Sequence, residues 1–284
     1  TDYKSLRLSV SFYMKQTNYH LFDFLYFDVD LKTNEALWKS CRPTDIQEKN
    51  GDIYITIPFQ KQALANDMEA DTAVERQSSI LIIRQYTHKI MRVFSGFGQY
   101  ELTDQSEMLQ FNPDIKKIPL KVIKTDGEWL ITDVDGVRRA LVNMKEPVLD
   151  HWSDLLPAPQ ETLDITFWPD GEREIHVSAY DHFSPPRYDA LPLSYVVKEG
   201  QKEKATISFT AQPDEVFAGT GERFSKMDLG GHTFQLKNQD GQGVNNRRAY
   251  KNIPFFLSSR MYGIFYHTSA YSKLSLADHS TRSV

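Results

Sequence analysis

Short runs of alternating apolar and polar residues, separated by turn sequences, constrain the fold of this 284-residue chain most strongly. In Ile53–Ile57 isoleucine occupies every second position, which is the period of a strand with one buried face. Asp126-Gly127 and Pro169-Asp170-Gly171 lie between apolar runs, and Asn50-Gly51 and Asp135-Gly136 also suit tight reversals. The pattern predicts antiparallel hairpins. Similar strand-like runs occur at Leu6–Phe12, Ile80–Ile83, Leu120–Ile123, Trp129–Val134, Leu163–Trp168, Ile175–Tyr180 and Ala205–Thr210.

Helical patterns are few. Lys61–Arg76 is polar and alanine-rich, which fits either a surface helix or a loop, and Glu146–Leu156 fits one short helix with Pro147 in its first turn. Strands and helices do not alternate as βαβ units, which argues against a parallel doubly wound sheet. The proline-rich Phe183–Pro192 is interpreted as a crossing between sheets. We therefore predict an all-β chain: residues 1–284 form a single large antiparallel β-sandwich domain with few short helices.

Charge and cysteine content exclude several classes of function. The net charge of −5 gives no basic surface for nucleic acid. Cys41 is the only cysteine, so neither an intrachain disulfide nor a zinc site built on paired cysteines can form. We expect no cofactor, no metal and no membrane partner. Cytoplasmic residence is the default expectation, because the N-terminal residues lack the apolar core of a signal peptide.

The first motif that stands out is Gly219-Thr220-Gly221-Glu222-Arg223-Phe224. A phosphate-binding loop is rejected, because no helix pattern with Lys-Ser/Thr follows the glycines. The residues alone favour a turn that glycine permits, fixed by an ion pair between Arg223 and Glu222.

Two further motifs follow it. In Leu236-Lys237-Asn238-Gln239-Asp240-Gly241, the residues alone make Asp240-Gly241 a turn. The segment Ala249–Phe256 precedes Tyr262–Phe265, and together they fit a pair of buried strands with Pro254 at an edge or a bulge.

Other candidate sites fail on their residue patterns. Asp133-Val134-Asp135-Gly136 resembles the start of a calcium loop but lacks the later glutamate, so a hairpin turn is the preferred interpretation. The chain contains neither a His-Glu-x-x-His zinc motif nor a Gly-x-Ser-x-Gly nucleophile turn. No pair of carboxylates is distinguished as a glycosidase acid and nucleophile.

Residues 217–266 resemble the N-terminal β-sandwich of glycoside hydrolase family 31, a galactose mutarotase-like domain, and are most similar to its bacterial α-xylosidase and α-glucosidase branch. Ala218, Thr220 and Lys237 depart from the family pattern. The resemblance implies structural roles for one group of motif residues: Gly221, Glu222, Arg223, Tyr250, Asn252, Pro254 and Phe255. It implies that Asp240 hydrogen-bonds hydroxyls of a bound sugar, with Asn238 as a weaker contact, a task that suits a carboxylate because it accepts charge-assisted bonds.

The resemblance also implies what lies beyond this domain. Family 31 enzymes are retaining glycosidases whose catalytic aspartates belong to a (β/α)₈ barrel, which is expected after residue 284 and is absent from this chain. The chain alone is therefore expected to be inactive, although it would form part of an enzyme that acts on α-linked xylosides or glucosides. A homo-oligomer of the full-length enzyme is left open.

Two other functions are weighed. A free-standing carbohydrate-binding module is one alternative, although the strongly apolar Ile253–Tyr266 resembles a surface made to be covered. A mutarotase-like enzyme is the other, and it requires histidines gathered on one sheet face. His176, His182 and His232 have no spacing that brings them together, and fold analogy alone does not establish activity.

Overall fold

The computed structural model describes residues 34–61, 75–96, 108–110, 112–145, 162–178, 192–240, 248–278 and 284. These residues contain strands, turns and bends but no helix, which confirms the predicted all-β class. The strand predicted at Leu6–Phe12 and the helix predicted at Glu146–Leu156 lie outside the described residues, as do almost all of Lys61–Arg76 and Phe183–Pro192. The few short helices expected from the sequence therefore lie almost entirely outside the described residues.

The largest sheet has seven strands. They are β1 (Glu35–Ser40), β2 (Asp45–Lys49), β3 (Asp52–Lys61), β4 (Arg76–Thr87), β5 (Ile90–Ser95), β11 (Leu193–Lys198) and β12 (Gln201–Ile207). Their order is β12-β11-β1-β3-β4-β5, and β2 pairs with β3 beside this path. All these pairings are antiparallel.

A second sheet has five strands in the order β10-β9-β8-β7-β6. Each strand is hydrogen-bonded to its neighbour in the sequence, so this sheet is a simple antiparallel meander. Its strands are β6 (Leu120–Thr125), β7 (Glu128–Asp133), β8 (Arg138–Asn143), β9 (Asp164–Phe167) and β10 (Ile175–Ser178).

Two smaller sheets occupy the C-terminal part of the described chain. The three-stranded sheet has the order β13-β15-β16, and the two-stranded sheet pairs β14 with β17. These strands are β13 (Phe217–Gly221), β14 (His232–Leu236), β15 (Asn252–Ser258), β16 (Gly263–Phe265) and β17 (Ser272–Leu276). The loops between β13, β14 and β15 carry residues of the three C-terminal sequence motifs.

One apolar core joins the two larger sheets. Ile53, Ile55 and Ile57 on β3 are fully buried, so the alternation read from the sequence is confirmed as the inward face of a strand. Burying each of these side chains contributes about 1.5–3 kcal/mol. The five-stranded sheet supplies facing side chains to the same cluster, namely Ile131, Ala140, Val142 and Ile165.

The predicted turns all connect neighbouring strands. Asn50-Gly51 joins β2 to β3 with φ angles of 54° and 78°, the left-handed pair that a two-residue hairpin of the primed type requires. Asp126-Gly127 joins β6 to β7, Asp135-Gly136 lies between β7 and β8, and Pro169-Asp170-Gly171 lies between β9 and β10. The hairpins predicted at these sequences are therefore confirmed.

A buried ion pair joins β7 and β8. Nε and Nη2 of Arg139 donate to Oδ2 of Asp133 at 3.1 and 2.8 Å. Nη1 of Arg139 donates to the carbonyl oxygens of His88 and Pro169 at 3.1 and 2.8 Å. The two charged side chains are 1% and 0% exposed. The guanidinium on β8 therefore bonds to residues at or just after the ends of β4, β7 and β9 inside the protein.

Asp133 also organises the turn at Asp133–Gly136, whose sequence resembles the start of a calcium loop. Oδ1 of Asp133 accepts hydrogen bonds from the backbone N–H groups of Asp135 and Val137, so this turn is closed by its own residues. Burial acts to raise the pKa of Asp133, but the bonds from Arg139 and the backbone lower it by more, and it lies below its ordinary value. The hairpin interpretation of Asp133–Gly136 is confirmed.

Candidate functional site

The three C-terminal motifs meet in one hydrogen-bonded network, and Arg223 lies at its centre. Nε of Arg223 donates to Oγ1 of the fully buried Thr220 at 2.8 Å, and Nη2 donates to Oδ1 of Asn252 and to the carbonyl of Gln235. The guanidinium carbon also lies 4.8 Å from the centre of the Phe234 ring, within cation–π range. Arg223 thus connects the loop after β13 with β14 and β15.

The prediction of an ion pair between Arg223 and Glu222 is wrong. Glu222 pairs instead with Lys251, whose Nζ lies 2.9 Å from its Oε1, and both side chains are largely exposed. The partners of Arg223 are uncharged, and burial lowers the pKa of its guanidinium. The reason is geometric: Glu222 faces solvent, while Arg223 is turned inward beneath β14 and β15.

Asn252 connects the network to the second motif. Its backbone N–H and its Nδ2 both donate to Oδ1 of Asn238, at 2.9 and 2.8 Å. A parallel backbone bridge joins Asn238 to Ala249, and the N–H of Gln239 donates to the carbonyl of Ala249 at 3.0 Å. The two ends of the loop between β14 and β15 are therefore held side by side.

Asp240 lies just beyond this clamp and is exposed. The hydroxyl of Tyr250 donates a hydrogen bond to Oδ1 of Asp240. Tyr250 is itself 59% exposed, so an aromatic ring and a carboxylate stand together at the surface. Gly241, which the sequence paired with Asp240 as a turn, lies outside the described residues.

The glycines of the first motif are required by close backbone contact. The φ angle of Gly221 is +93°, and a Cβ at this position would lie 2.0 Å from the carbonyl oxygen of Lys251. The N–H of Glu222 donates to that same oxygen at 3.0 Å. Only glycine lets β13 approach the segment before β15 this closely.

Pro254 lies at a bulge, as predicted. Gly219 is opposite Phe256 and Gly221 is opposite Asn252, so the register between β13 and β15 shifts between the two glycines. One residue of β13 separates the two glycines, whereas three residues of β15, including Pro254, separate their partners. A bulge accommodates proline because the ladder is already interrupted there.

The strand pair formed by β15 and β16 is confirmed, but only one of its faces is buried. Phe256 and Ser258 point inward. The other face carries Ile253, Phe255 and Leu257 on β15 and Phe265 on β16, and we call these four residues the apolar face. Ile253, Leu257 and Phe265 are 50%, 51% and 36% exposed. The sequence prediction of a buried pair is therefore corrected, because hydrophobicity alone does not tell which face has a partner.

A buried carboxylate fixes the turn between β15 and β16, and no pattern in the sequence marks it as functional. The hydroxyl of Tyr262 donates to Oε1 of Glu215 at 2.6 Å, and the hydroxyl of Ser258 donates to the same atom. Oε2 of Glu215 accepts from the N–H of Gln212 at 2.9 Å. Burial and the bond to Glu215 raise the pKa of Tyr262. This arrangement holds the edge of the apolar face in place.

The histidines considered for a mutarotase-like site lie in different sheets. His176 is on β10, where its Nε2 is 2.8 Å from Oδ1 of Asp164 and its side chain is buried. His232 begins β14 and stacks on Phe234 in the two-stranded sheet. His182 lies outside the described residues. Within the described part of the chain, no group of three or more His, Cys, Asp or Glu side chains is arranged to hold a metal ion.

Comparison with known families supplies the observation that decides the relationship. Residues 81–274 match the model of the glycosyl hydrolase 31 N-terminal galactose mutarotase-like domain. The chain belongs to this family. The resemblance noted for residues 217–266 is thereby extended across the five-stranded sheet and part of the seven-stranded sheet.

Two curated α-xylosidases match short segments of this chain. The α-xylosidase XylQ of Lactiplantibacillus pentosus is 48% identical over 52 residues, which make up 18% of this chain and 7% of XylQ. An α-xylosidase of Emericella nidulans is 39% identical over 70 residues, 25% of this chain and 9% of that protein. The chain thus matches only a small part of the curated relatives.

Solved structures share the fold of the family 31 domain. A GH31 dextranase from Flavobacterium johnsoniae, complexed with glucose, has a TM-score of 0.51 at 16% identity and is matched over 86% of this chain and 24% of its own. An uncharacterized Listeria monocytogenes protein, solved with glucose, magnesium and calcium, has a TM-score of 0.56 at 16% identity, over 88% of this chain and 19% of its own. Each of these structures is therefore much longer than this domain.

Across the residues that the structure describes, we find no helix of the length and hydropathy needed to cross a membrane.

Proposed function

We propose that this chain is the non-catalytic N-terminal domain of a retaining α-glycosidase of the α-xylosidase or α-glucosidase type. The observation that carries the proposal is the family match over residues 81–274, supported by the 48% identical segment of an α-xylosidase. The catalytic aspartates then belong to a (β/α)₈ barrel elsewhere in a longer polypeptide, since such a barrel takes roughly 250 residues of its own.

The apolar face supports a role in packing against such a barrel. Ile253, Phe255, Leu257 and Phe265 form a continuous surface, because Phe255 is directly opposite Phe265 across the strand pair. Exposed apolar side chains also occur in the loops after β13 and after β15, at Phe224, Met227 and Met261. Contiguous apolar surface of this kind marks a contact with another protein surface. A self-sufficient carbohydrate-binding module has no need of it.

The loop that carries Asp240 supplies the proposed contribution to the substrate site. Its base is clamped by Asn238 and Asn252, while the Asp240 carboxylate remains at the surface. A carboxylate accepts hydrogen bonds from two sugar hydroxyls at once, and these charge-assisted bonds are the stronger kind. Asn238 is the weaker contact, because its Oδ1 already accepts two bonds from Asn252 and its amide N–H groups are the donors that it can offer a sugar.

Replacing Asp240 tests this function. In the native full-length polypeptide, we expect Asp240→Ala to weaken kcat/KM for p-nitrophenyl α-D-xyloside or α-D-glucoside by about 1–3 kcal/mol, the cost of an unpaired sugar hydroxyl. Asp126→Ala is the matched control, because Asp126 is an exposed aspartate in the turn between β6 and β7. If the kcat/KM of Asp240→Ala equals that of Asp126→Ala on both substrates, Asp240 does not contact the sugar.

A further inference from the structure

The contact between Tyr250 and Asp240 is the most specific feature of the surface loop. The two residues are ten positions apart and stand at opposite ends of the loop between β14 and β15. Both are exposed, so their hydrogen bond is not a means of satisfying buried polar groups. A hydrogen bond between exposed side chains contributes little to folding, because water offers each group the same bond. Its presence calls for another role.

We infer that Tyr250 is a positioning residue that orients the Asp240 carboxylate toward the sugar. The inference rests on the proposed function of Asp240. The phenol hydrogen bond fixes one carboxylate oxygen and so limits the rotation of the carboxylate about its side-chain bonds. A carboxylate offers about four acceptor sites, so it can accept a bond from a phenol and bonds from sugar hydroxyls in the same arrangement.

The backbone around Tyr250 is rigid enough to give the hydroxyl a fixed position. Ala249, immediately before it, is buried and is bridged to Asn238. Lys251, immediately after it, accepts the backbone bond from Glu222 through its carbonyl oxygen. Tyr250 is thus held between two anchored residues while its own side chain projects into solvent. A fixed donor beside a surface carboxylate reduces the ordering that ligand binding must otherwise supply.

A double-mutant cycle in the native full-length polypeptide tests the inference. With p-nitrophenyl α-D-xyloside or α-D-glucoside as the probe, we expect Tyr250→Phe to raise KM about three- to tenfold with little change in kcat, since it removes one hydrogen bond but keeps the ring. In the Asp240→Ala background the same change should alter KM by less than about twofold, because the group that Tyr250 orients is gone.

The control is Tyr271→Phe, because Tyr271 is a comparably exposed tyrosine, 55% against 59%, placed before β17. Its KM should equal that of the unmodified protein, and the melting temperature of both tyrosine variants should be unchanged. Two results would show that Tyr250 does not act through Asp240. In the first, Asp240→Ala raises KM but Tyr250→Phe does not; in the second, Tyr250→Phe has the same effect on KM in both backgrounds. In either case only this inference fails. If Asp240→Ala itself has no effect, the proposed sugar contact fails, and the role of Tyr250 fails with it.

Discussion

Arg139→Met should lower the free energy of unfolding of the 284-residue chain by about 3–5 kcal/mol. The substitution keeps a long apolar side chain but removes the charge that neutralises Asp133 inside the protein. It also removes a donor from the carbonyl oxygens of His88 and Pro169, of which the Pro169 oxygen keeps a bond from Nε2 of Gln85. Leaving a buried charge without its partner costs far more free energy than breaking an exposed ion pair, so the expected loss of stability is large.

Urea unfolding followed by circular dichroism measures this loss, with Arg138→Met as the matched control. Arg138 is the preceding residue on β8 but is exposed, and its guanidinium carbon lies 4.4 Å from the centre of the Trp168 ring. Losing that contact costs about 1 kcal/mol or less. Equal losses for the two arginines would mean that the Arg139–Asp133 pair is not desolvated as the structure shows.

Gly221→Ala should also be strongly destabilising, by about 2–6 kcal/mol. Two costs add at this position. The φ angle of +93° is strained for any residue with a Cβ, and that Cβ would lie 2.0 Å from the carbonyl oxygen of Lys251 and 2.9 Å from the nitrogen of Ile253. Both atoms belong to the backbone, so no side-chain rotation relieves the overlap.

Gly231→Ala separates the two costs. Gly231 has a similar positive φ angle of +74°, but a Cβ there would meet nothing within 4 Å. Its replacement therefore carries only the conformational cost, about 1–2 kcal/mol. Comparable unfolding free energies for the two alanine variants would contradict the close approach of β13 to the segment before β15.

The antiparallel framework was predictable from the sequence because its signals are local. The alternation at Ile53–Ile57 specifies one inward face, and the turn pairs Asn50-Gly51 and Asp126-Gly127 specify where the chain reverses. Each of these signals needs only neighbouring residues to be interpreted. Together they identify the hairpins, whereas the placement of β11 beside β1 requires contacts across more than 150 residues.

The partners of the motif residues could not be predicted for the same reason. Arg223 was expected to pair with its neighbour Glu222, yet it bonds to Asn252, which is 29 residues away. The bond from Tyr250 to Asp240 and the buried carboxylate of Glu215 also depend on how loops from separate strands meet. Residue types suggest which groups need partners, but the sheet pairings decide which partners they find.

A comparison of two proteins, the native full-length polypeptide and the 284-residue chain alone, shows which part hydrolyses p-nitrophenyl α-D-xyloside and α-D-glucoside. The chain is proposed to support a catalytic domain rather than to contain one. We therefore predict that the full-length polypeptide releases p-nitrophenol from at least one of these substrates, while the isolated chain releases none above the buffer rate. Hydrolysis by the isolated chain, at a rate that follows its concentration through purification, would contradict the assignment of a non-catalytic domain.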